Sequence, residues 1–547
     1  MTVSKLDPAP LKNPGEDRAK AELAHYARMT TKRDNFQQTW KEVSLYVVPD
    51  KDGVFGHSTK GEEKHRHLYD GYAEHCVELL SAALHSMLTN PTTQWFFFTS
   101  GQLEMDRQPE VQKYLGDFSR QVLGILNNSN FQSEVHEVFM DLCSFGTSAL
   151  RIMEDDEDTL RFHARPIYEL VIAENHLGIV DYVGTEDEMD VRQALQQFGE
   201  KAFGEHANKL RADLTKCIKI HHIVRPRRKD ETKGTKGPNS SPYISLHIYK
   251  EANLILQEEA FYTFPWIVPR WVKRTGEAYG RSPAMKALPD IRMRNTMQKF
   301  YIRGVQKMVD PPWIAPEDSI MGDLDLTPGS VSSVRPGMAD QIRPLISGGR
   351  PEVGKDLLEM NKETIKAFFF IDQLQLRDGP QMTATEVNTL VQQHLRLLGP
   401  ILGRLNYEFL KLMMVRIVDI MKRKNLIPTP PRELADKNPQ VFFASEIAKA
   451  QLMGEADTIN RFMGIISGLV AIDPSVYDLL DSEKFVNYMA NLYGVTREIF
   501  RSKAEVKQVQ AARAEAQNKA VQGEENLIQA ETMQKGAAGV KALKESA

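Results

Sequence analysis

Four groups of side chains in this sequence have types and spacings that chemistry uses. GEAYGRSP, residues 276–283, holds two glycines ahead of Ser282 and has the look of a phosphate cradle. A phosphate loop follows its glycines with Gly-Lys-Ser or Gly-Lys-Thr so that the lysine reaches the outer phosphates, and that order is missing here. His57, His65 and His67 cluster in the polar segment GHSTKGEEKHRH, and His221 and His222 adjoin in a strand-like run. Neither set has the spacing of HExxH or a carboxylate placed to support a ligand, so a solvated loop is expected and not a metal site. Glu154, Asp155, Asp156, Glu157 and Asp158 would hold a divalent ion only if several converged. Adjacent side chains point apart, which makes a charged turn the expectation. Cys76, Cys143 and Cys217 are far apart, form no CxxC pair and suit a reducing cytoplasm. There is no Gly-x-Ser-x-Gly elbow and no cysteine beside a plausible catalytic histidine. The chain is therefore read as a non-enzyme, with no catalytic residue, no cofactor and no metal.

Bulk properties narrow the class. At 547 residues the chain has length for three or four structural units. Apolar residues make up 41% and charged residues 26%, which is ordinary for a chain that folds through most of its length. The start, MTVSKLDPAPLKNPGEDRAK, has no apolar signal region, and no run approaches the roughly 18 apolar residues of a membrane span. Neither standard secretion nor a membrane is expected. The net charge of −4 lacks the basic excess of a protein that grips nucleic acid by neutralising phosphates. Any DNA it handles is gripped locally or left to slide.

The elements that position these residues follow from periodicity. Residues 17–47 and 68–89 read as helices, the second stopped by Asn90-Pro91, and Trp95 to Phe98 read as a buried strand. Helices are predicted over 108–128 and 131–144. After Gly146 the pattern turns extended, with strands at 145–155, 159–173, 178–184, 217–226, 242–249 and 253–260 and one helical interruption near 190–213. Residues 227–241, charged and rich in Gly and Pro, read as a solvated hairpin loop in preference to a basic nucleic-acid patch.

Ser282 suits an N-cap and Pro283 the first helical turn. From there a helix runs without a breaker to Val309, where Asp310-Pro311-Pro312 ends it; some 25 residues make a rod of roughly 38 Å. Residues 311–350, rich in Pro and Gly, read as a small lobe containing β-structure, and a second helix returns over 351–370. A short non-periodic segment with the turn Asp378-Gly379-Pro380 follows. Thr383 and Glu386 then form a capping box for a very long helix, to about 424, with a kink predicted at Gly399-Pro400. Short helices are predicted over 444–472, 473–491 and 495–503. Beyond Ala504 the composition gives either a frayed helix or a flexible tail.

This order of elements resembles the portal, or head-to-tail connector, family of tailed phages from about residue 20 to 500, and the short-tailed (podovirus) group fits best. Four stretches carry the resemblance: LYDGYAEHCVELLSAALHSMLTNPTTQWFFF, FGTSALRI, YGRSPAMKALPDIRMRN followed by DPPWIAP, and TATEVNTLVQQHLRLLGPILGRL.

The resemblance implies an α+β, predominantly α-helical portal fold with wing, stem, clip and crown. Residues 1–281 would form N-terminal helices and a β-rich wing, 282–310 and 351–370 the two stem helices, and 311–350 the clip. Residues 371–382 would form the tunnel loop, 383–424 the long kinked wing helix, 425–503 a helical crown, and 504–547 the C-terminal extension or tail. It implies a ring of twelve copies at one capsid vertex, assembled in the host cytoplasm and kept in the virion at the head–tail junction. The ring would be the channel for DNA packaging and ejection. Implied partners are double-stranded DNA, the terminase large subunit, the major capsid protein, a scaffolding protein, a tail adaptor and internal head proteins. Candidate DNA contacts are Arg292, Lys299, Arg303 and Lys307 on the first stem helix and Gln373, Gln375 and Arg377 in the loop. The competing use of the four stem cations is pairing with Glu352, Asp356, Glu359 and Glu363 of a neighbouring copy. Another head–tail adaptor or capsid component is the nearest alternative, and a nucleic-acid-processing enzyme a distant one.

Overall fold

In a computed structural model of the chain, the described residues are 14–54, 67–106, 108–228, 231, 240–311, 313–314, 343–344, 351–374, 398–434, 439–443, 459–469 and a few between 473 and 515. The chain divides into two units, 1–447 and 448–547. The described part of the second is chiefly a helical stretch over 459–469, inside the segment predicted helical.

The first unit mixes helix and sheet and is mostly helical. Its largest sheet is antiparallel, in the order β4 (Leu170–Glu174), β5 (Val180–Asp190), β6 (Cys217–Pro226), β7 (Tyr243–Tyr249) and β8 (Leu254–Phe261). The hydrophobic pattern of β6 and β7 is nearly continuous because both faces are covered. One face takes the N-terminal helix Pro14–Tyr46, whose Ala19 and Tyr26 pack on Val171, Tyr182, Ile223, Ile244 and Leu246. Gly184 of β5 makes room for the Tyr26 ring, which a Cβ there would meet at 2.7 Å. The helical interruption consists of three short helices, Val191–Phe198, Glu200–Phe203 and His206–Leu210, which cover the β5–β6 end.

The main core lies beneath helices Tyr72–Leu88, Pro109–Asn128 and Phe131–Phe145, all at their predicted places. Gly146 ends the third in the left-handed conformation (φ 79°), its N–H donating to the carbonyls of Asp141 and Leu142. The chain then enters β2 (Ala149–Asp155), which pairs with β3 (Thr159–Arg165) and with β9 (Trp266–Ile267). The acidic run is the turn between β2 and β3: Asp155 accepts from Arg161 and from the Glu157 N–H, and Glu154 pairs with Arg423. The charged-turn reading holds.

Two sequence expectations need revision. The helix after Ser282 does contain a breaker: Pro289 lies inside it, and the helix continues regardless because its root is locked on both sides by packing. In the long helix, residues 398–405 are helical and a π-helical turn follows at Asn406–Lys411, while the turn before Gly399-Pro400, on which the predicted kink depends, lies outside the described residues. Residues 383–397, with the predicted cap at Thr383, lie outside the described residues. The segment from 425, read as helical, includes β12 (Gln440–Phe443), which pairs antiparallel with β1 (Phe96–Thr99) so that Phe97 faces Phe442. No helix among the described residues is long and apolar enough to cross a membrane.

Candidate functional site

The site is a two-helix projection: an outgoing helix, Pro283–Val309, and a return helix, Pro351–Phe368. Its root is built from GEAYGRSP. Ser282 accepts the Met285 N–H at 2.9 Å as N-cap and donates to the Ser144 carbonyl at 2.7 Å, which fixes the start of the helix on the core. Gly280 lies so close to Gly146 that a Cβ on it would stand 2.3 Å from the Gly146 carbonyl oxygen, and its N–H donates to Thr147 at 2.7 Å. Gly276 serves a turn at φ 85°. Of the two glycines that suggested a phosphate loop, Gly280 is thus used to bring two backbones together and Gly276 to turn the chain.

Along its first four turns the outgoing helix is buried through Ala284, Ala287, Leu288, Ile291 and Asn295. Asn295 accepts the Tyr69 N–H at 2.7 Å and donates to the His67 carbonyl at 3.0 Å, while Arg294 pairs with Asp70, donates to the Leu358 carbonyl and lies over the Tyr72 ring. Farther out, Gly354 of the return helix lets Tyr301 approach, the ring lying 3.3 Å from where a Cβ would sit. The outer faces of the projection are exposed and include apolar side chains: Met293, Phe300, Ile302, Met308 and Val309 of the outgoing helix and Val353, Leu357 and Met360 of the return helix. Eight such groups on two packed helices exceed the singly scattered apolar residues of an ordinary surface. The lobe between the helices is described only at β10 (Trp313–Ile314) and β11 (Arg343–Pro344), an antiparallel pair that supports the predicted β-content.

Of the predicted stem cations, Arg292 pairs with Glu42 at 2.9 Å and Lys299 lies over the Tyr69 ring at 5.2 Å. Arg303 and Lys307 are exposed and have no ion-pair partner among the described residues. On the return helix, Glu359 and Glu363 are held by Lys362 and Lys366 of the same helix, at 3.1 and 2.6 Å. These bonds hold the Glu359 carboxyl below its usual range and the Lys366 ammonium above its own. Residues 371–382, read as non-periodic, begin with a helical turn, Ile371–Leu374, that carries Gln373; Gln375 and Arg377 lie outside the described residues.

The histidines fall into the scaffold. His222 stacks on His247 with ring centres 4.2 Å apart and shares a hydrogen bond of 2.8 Å with Ser245, and His221 faces Glu186 at 3.6 Å. Burial pushes His221 and His247 down to about 4 and His222 well below its usual value, so these rings are neutral sheet-core groups. His57 and His65 lie outside the described residues, and no set of three metal-ligating side chains converges among those described. Sequence reasoning missed the buried arginines. Arg225 is held by Glu22 and Glu231, which docks the N-terminal helix and the base of the 227–241 loop on β6. Arg270 joins Glu174 and Glu408. Their only signal was charge inside otherwise apolar runs.

Comparison with known proteins identifies relatives over nearly the whole chain. The chain matches the bacteriophage head to tail connecting protein family over residues 19–500. It is 28% identical to the probable portal protein of Bordetella phage BPP-1, covering 91% of this chain and 92% of the relative. It is 26% identical to the portal protein of Salmonella phage epsilon15, covering 93% and 95%. The portal protein of Enterobacteria phage T3 is 21% identical, with 84% and 83% covered.

Proposed function

Since this chain belongs to the bacteriophage head-to-tail connecting protein family, the portal proteins, we propose that it forms the portal ring of a short-tailed phage: twelve copies around an axial channel at one capsid vertex. The observation that carries this reading is the match to the family over residues 19–500, nearly the whole chain. In this reading residues 1–281 with part of the long helix 383–424 are the wing, 282–310 and 351–370 the stem, and 311–350 the clip. Residues 371–382 are the tunnel loop, 425–503 the crown and 504–547 an extension.

The ring admits DNA during packaging and releases it during ejection. Twelve copies at −4 each carry about −48, so the assembly repels the duplex on average and lets it slide. Local contact falls to Gln373, Gln375 and Arg377. Of the four stem cations, Arg292 pairs with Glu42 and Lys299 lies over Tyr69, while the outer two, Arg303 and Lys307, have two candidate anionic partners, the duplex and an acidic surface of another copy. The clip docks the terminase large subunit during filling and a tail adaptor afterwards; wing and crown meet the scaffolding protein, the major capsid protein and internal head proteins. ATP hydrolysis belongs to the terminase, since Gly280 of GEAYGRSP is committed to backbone packing and Gly276 to a turn. Electron microscopy of the purified chain tests the reading: rings with a central hole are expected, and a persistent monomer with nuclease or ATPase activity would overturn it.

A further inference from the structure

Two half-buried histidines meet where the helix Tyr72–Leu88 packs on the helix Phe131–Phe145, away from the projection. His85 stands near the end of the first helix and His136 in the second turn of the other. Their ring centres are 6.0 Å apart and their planes cross at 81°. Gln132 precedes His136 by one turn, on the same face of its helix. Leu84 and Leu88 of one helix and Val135 and Phe139 of the other belong to the main core, so the backbones that carry the two rings are fixed.

Two atoms at this place are out of keeping with a settled core. His85 Nε2 and Gln132 Oε1 are both buried, and neither finds a hydrogen-bond partner of good geometry. Folded chains seldom leave such atoms unsatisfied, and each one that remains calls for a cause. The Gln132 amide is oriented by its neighbours: its Nε2 donates to Asn127 at 3.4 Å, and Asn127 donates in turn to the Pro91 carbonyl at 3.4 Å. Its oxygen is left to the histidine side, where Gln132 acts on the His85 ring. Burial and the facing His136 lower the proton affinity of His85, so at neutral pH its ring keeps a lone pair able to ligate.

We propose that His85 and His136 together bind one divalent transition-metal ion of the zinc and copper class, with water completing its coordination and Gln132 positioning that water. Metal–nitrogen bonds of about 2.1 Å place two ligating ring centres roughly 5 to 6.5 Å apart, according to the angle at the metal. The observed 6.0 Å lies in that range. Two imidazoles select such an ion. Calcium and magnesium ask for oxygen ligands, and no carboxylate among the described residues acts on the His85 ring. With two protein ligands the site is open, so the ion is exchangeable and folding does not require it. Bound, it staples the helix Tyr72–Leu88 to the helix that leads into β2, and it stabilises the folded chain by mass action. The inference is independent of the portal reading and holds whether or not the chain closes into a ring.

The untagged full-length chain carrying H57Q/H65Q/H67Q, which removes the other histidine cluster as a competing binder, is the background for the test. Stripped with a chelator, it is titrated at neutral pH with zinc alone and with copper(II) alone, by calorimetry. One ion per chain should bind, copper more tightly than zinc, and zinc in excess should raise the melting midpoint. Adding H85Q or H136Q should weaken binding by more than about tenfold, and adding Q132A by about tenfold, as for a group that orients a metal-bound water. Circular dichroism of the metal-free variants should match that of the background chain. Should a histidine variant not fold, electron paramagnetic resonance of copper(II) in the background chain still decides, because it must show two imidazole nitrogens on the ion. Unchanged affinity in H85Q and H136Q overturns the proposal, as does a copper spectrum with a single nitrogen or the absence of a one-per-chain site. Calcium or magnesium binding here as tightly as zinc would overturn the class of ion assigned.

Discussion

Arg270 meets Glu408 edge to edge across 138 residues of chain, Nε to Oε2 at 3.0 Å and Nη2 to Oε1 at 3.0 Å. The guanidinium is 1% exposed and is completed by Glu174, the Gly178 carbonyl at 3.0 Å and the Ala278 carbonyl at 3.2 Å. Glu408 sits in the π-helical turn Asn406–Lys411, so the irregular part of the long helix is where that helix is bolted to the β-rich body. A planar five-donor group suits this place, because every donor direction finds an oxygen.

Glu408→Ala should destabilise the folded chain by about 3 kcal/mol, since it leaves a buried cation short of its counter-charge. Glu154→Ala removes a carboxylate from Arg423, a pair about one-third exposed on each side, and should cost under about 1 kcal/mol. Denaturant unfolding of the two variants checks the contrast; equal costs would mean that Arg270 is not the anchor.

Two glycines of one motif should respond differently. Gly280→Ala forces a methyl group onto the Gly146 carbonyl and should cost about 3 kcal/mol. Gly276→Ala meets open space and carries only the strain of its positive φ, about 1 kcal/mol. Thermal unfolding decides. A reversed order would contradict the packing role assigned to Gly280.

Stability should fall in mild acid. Folding depresses the proton affinity of His221 and His247 to about 4 and that of His222 well below its usual value, chiefly by burial. The unfolded chain, with histidines near 6.5, therefore binds more protons between about pH 6.5 and about pH 4. Their contribution is complete above about 6.5 and is lost as pH drops toward about 4. His247→Phe removes one of these groups and should lessen the loss between about pH 7 and about pH 4.5 by about 2 kcal/mol. An unchanged pH slope would show that His247 is not buried neutral.

Shortening the segment from Gln373 to Arg377 should leave rings intact and impair DNA packaging or retention. Failure of the rings to assemble would mean that this segment belongs to the subunit contact and not to the channel.

How far the sequence revealed this molecule depends on how local each determinant was. The early helices, β5 to β8 and the projection followed from periodicity and caps, and Ser282 and Gly146 play the parts their neighbours suggested. Pro289 was overlooked because a breaker only breaks a helix that packing does not hold. β12 was hidden because four residues, Gln440–Phe443, become a strand only by pairing with Phe96–Thr99, which is more than three hundred residues distant in the chain. The same holds for Arg270 and Glu408, whose relationship is purely tertiary. Among the candidate DNA contacts, the spacing of the stem cations identified their common face but not their partners: Arg292 turned out to use Glu42, which no local pattern announces.

In the proposed assembly this chain closes into a ring around a DNA-sized channel. Single-particle imaging of the purified full-length protein, with native mass measurement of the same sample, tests it most directly. The account predicts a closed ring of twelve copies with an axial hole, the two-helix projections packed side by side around it. A stable monomer, or a two-fold dimer with no axial opening, would contradict it.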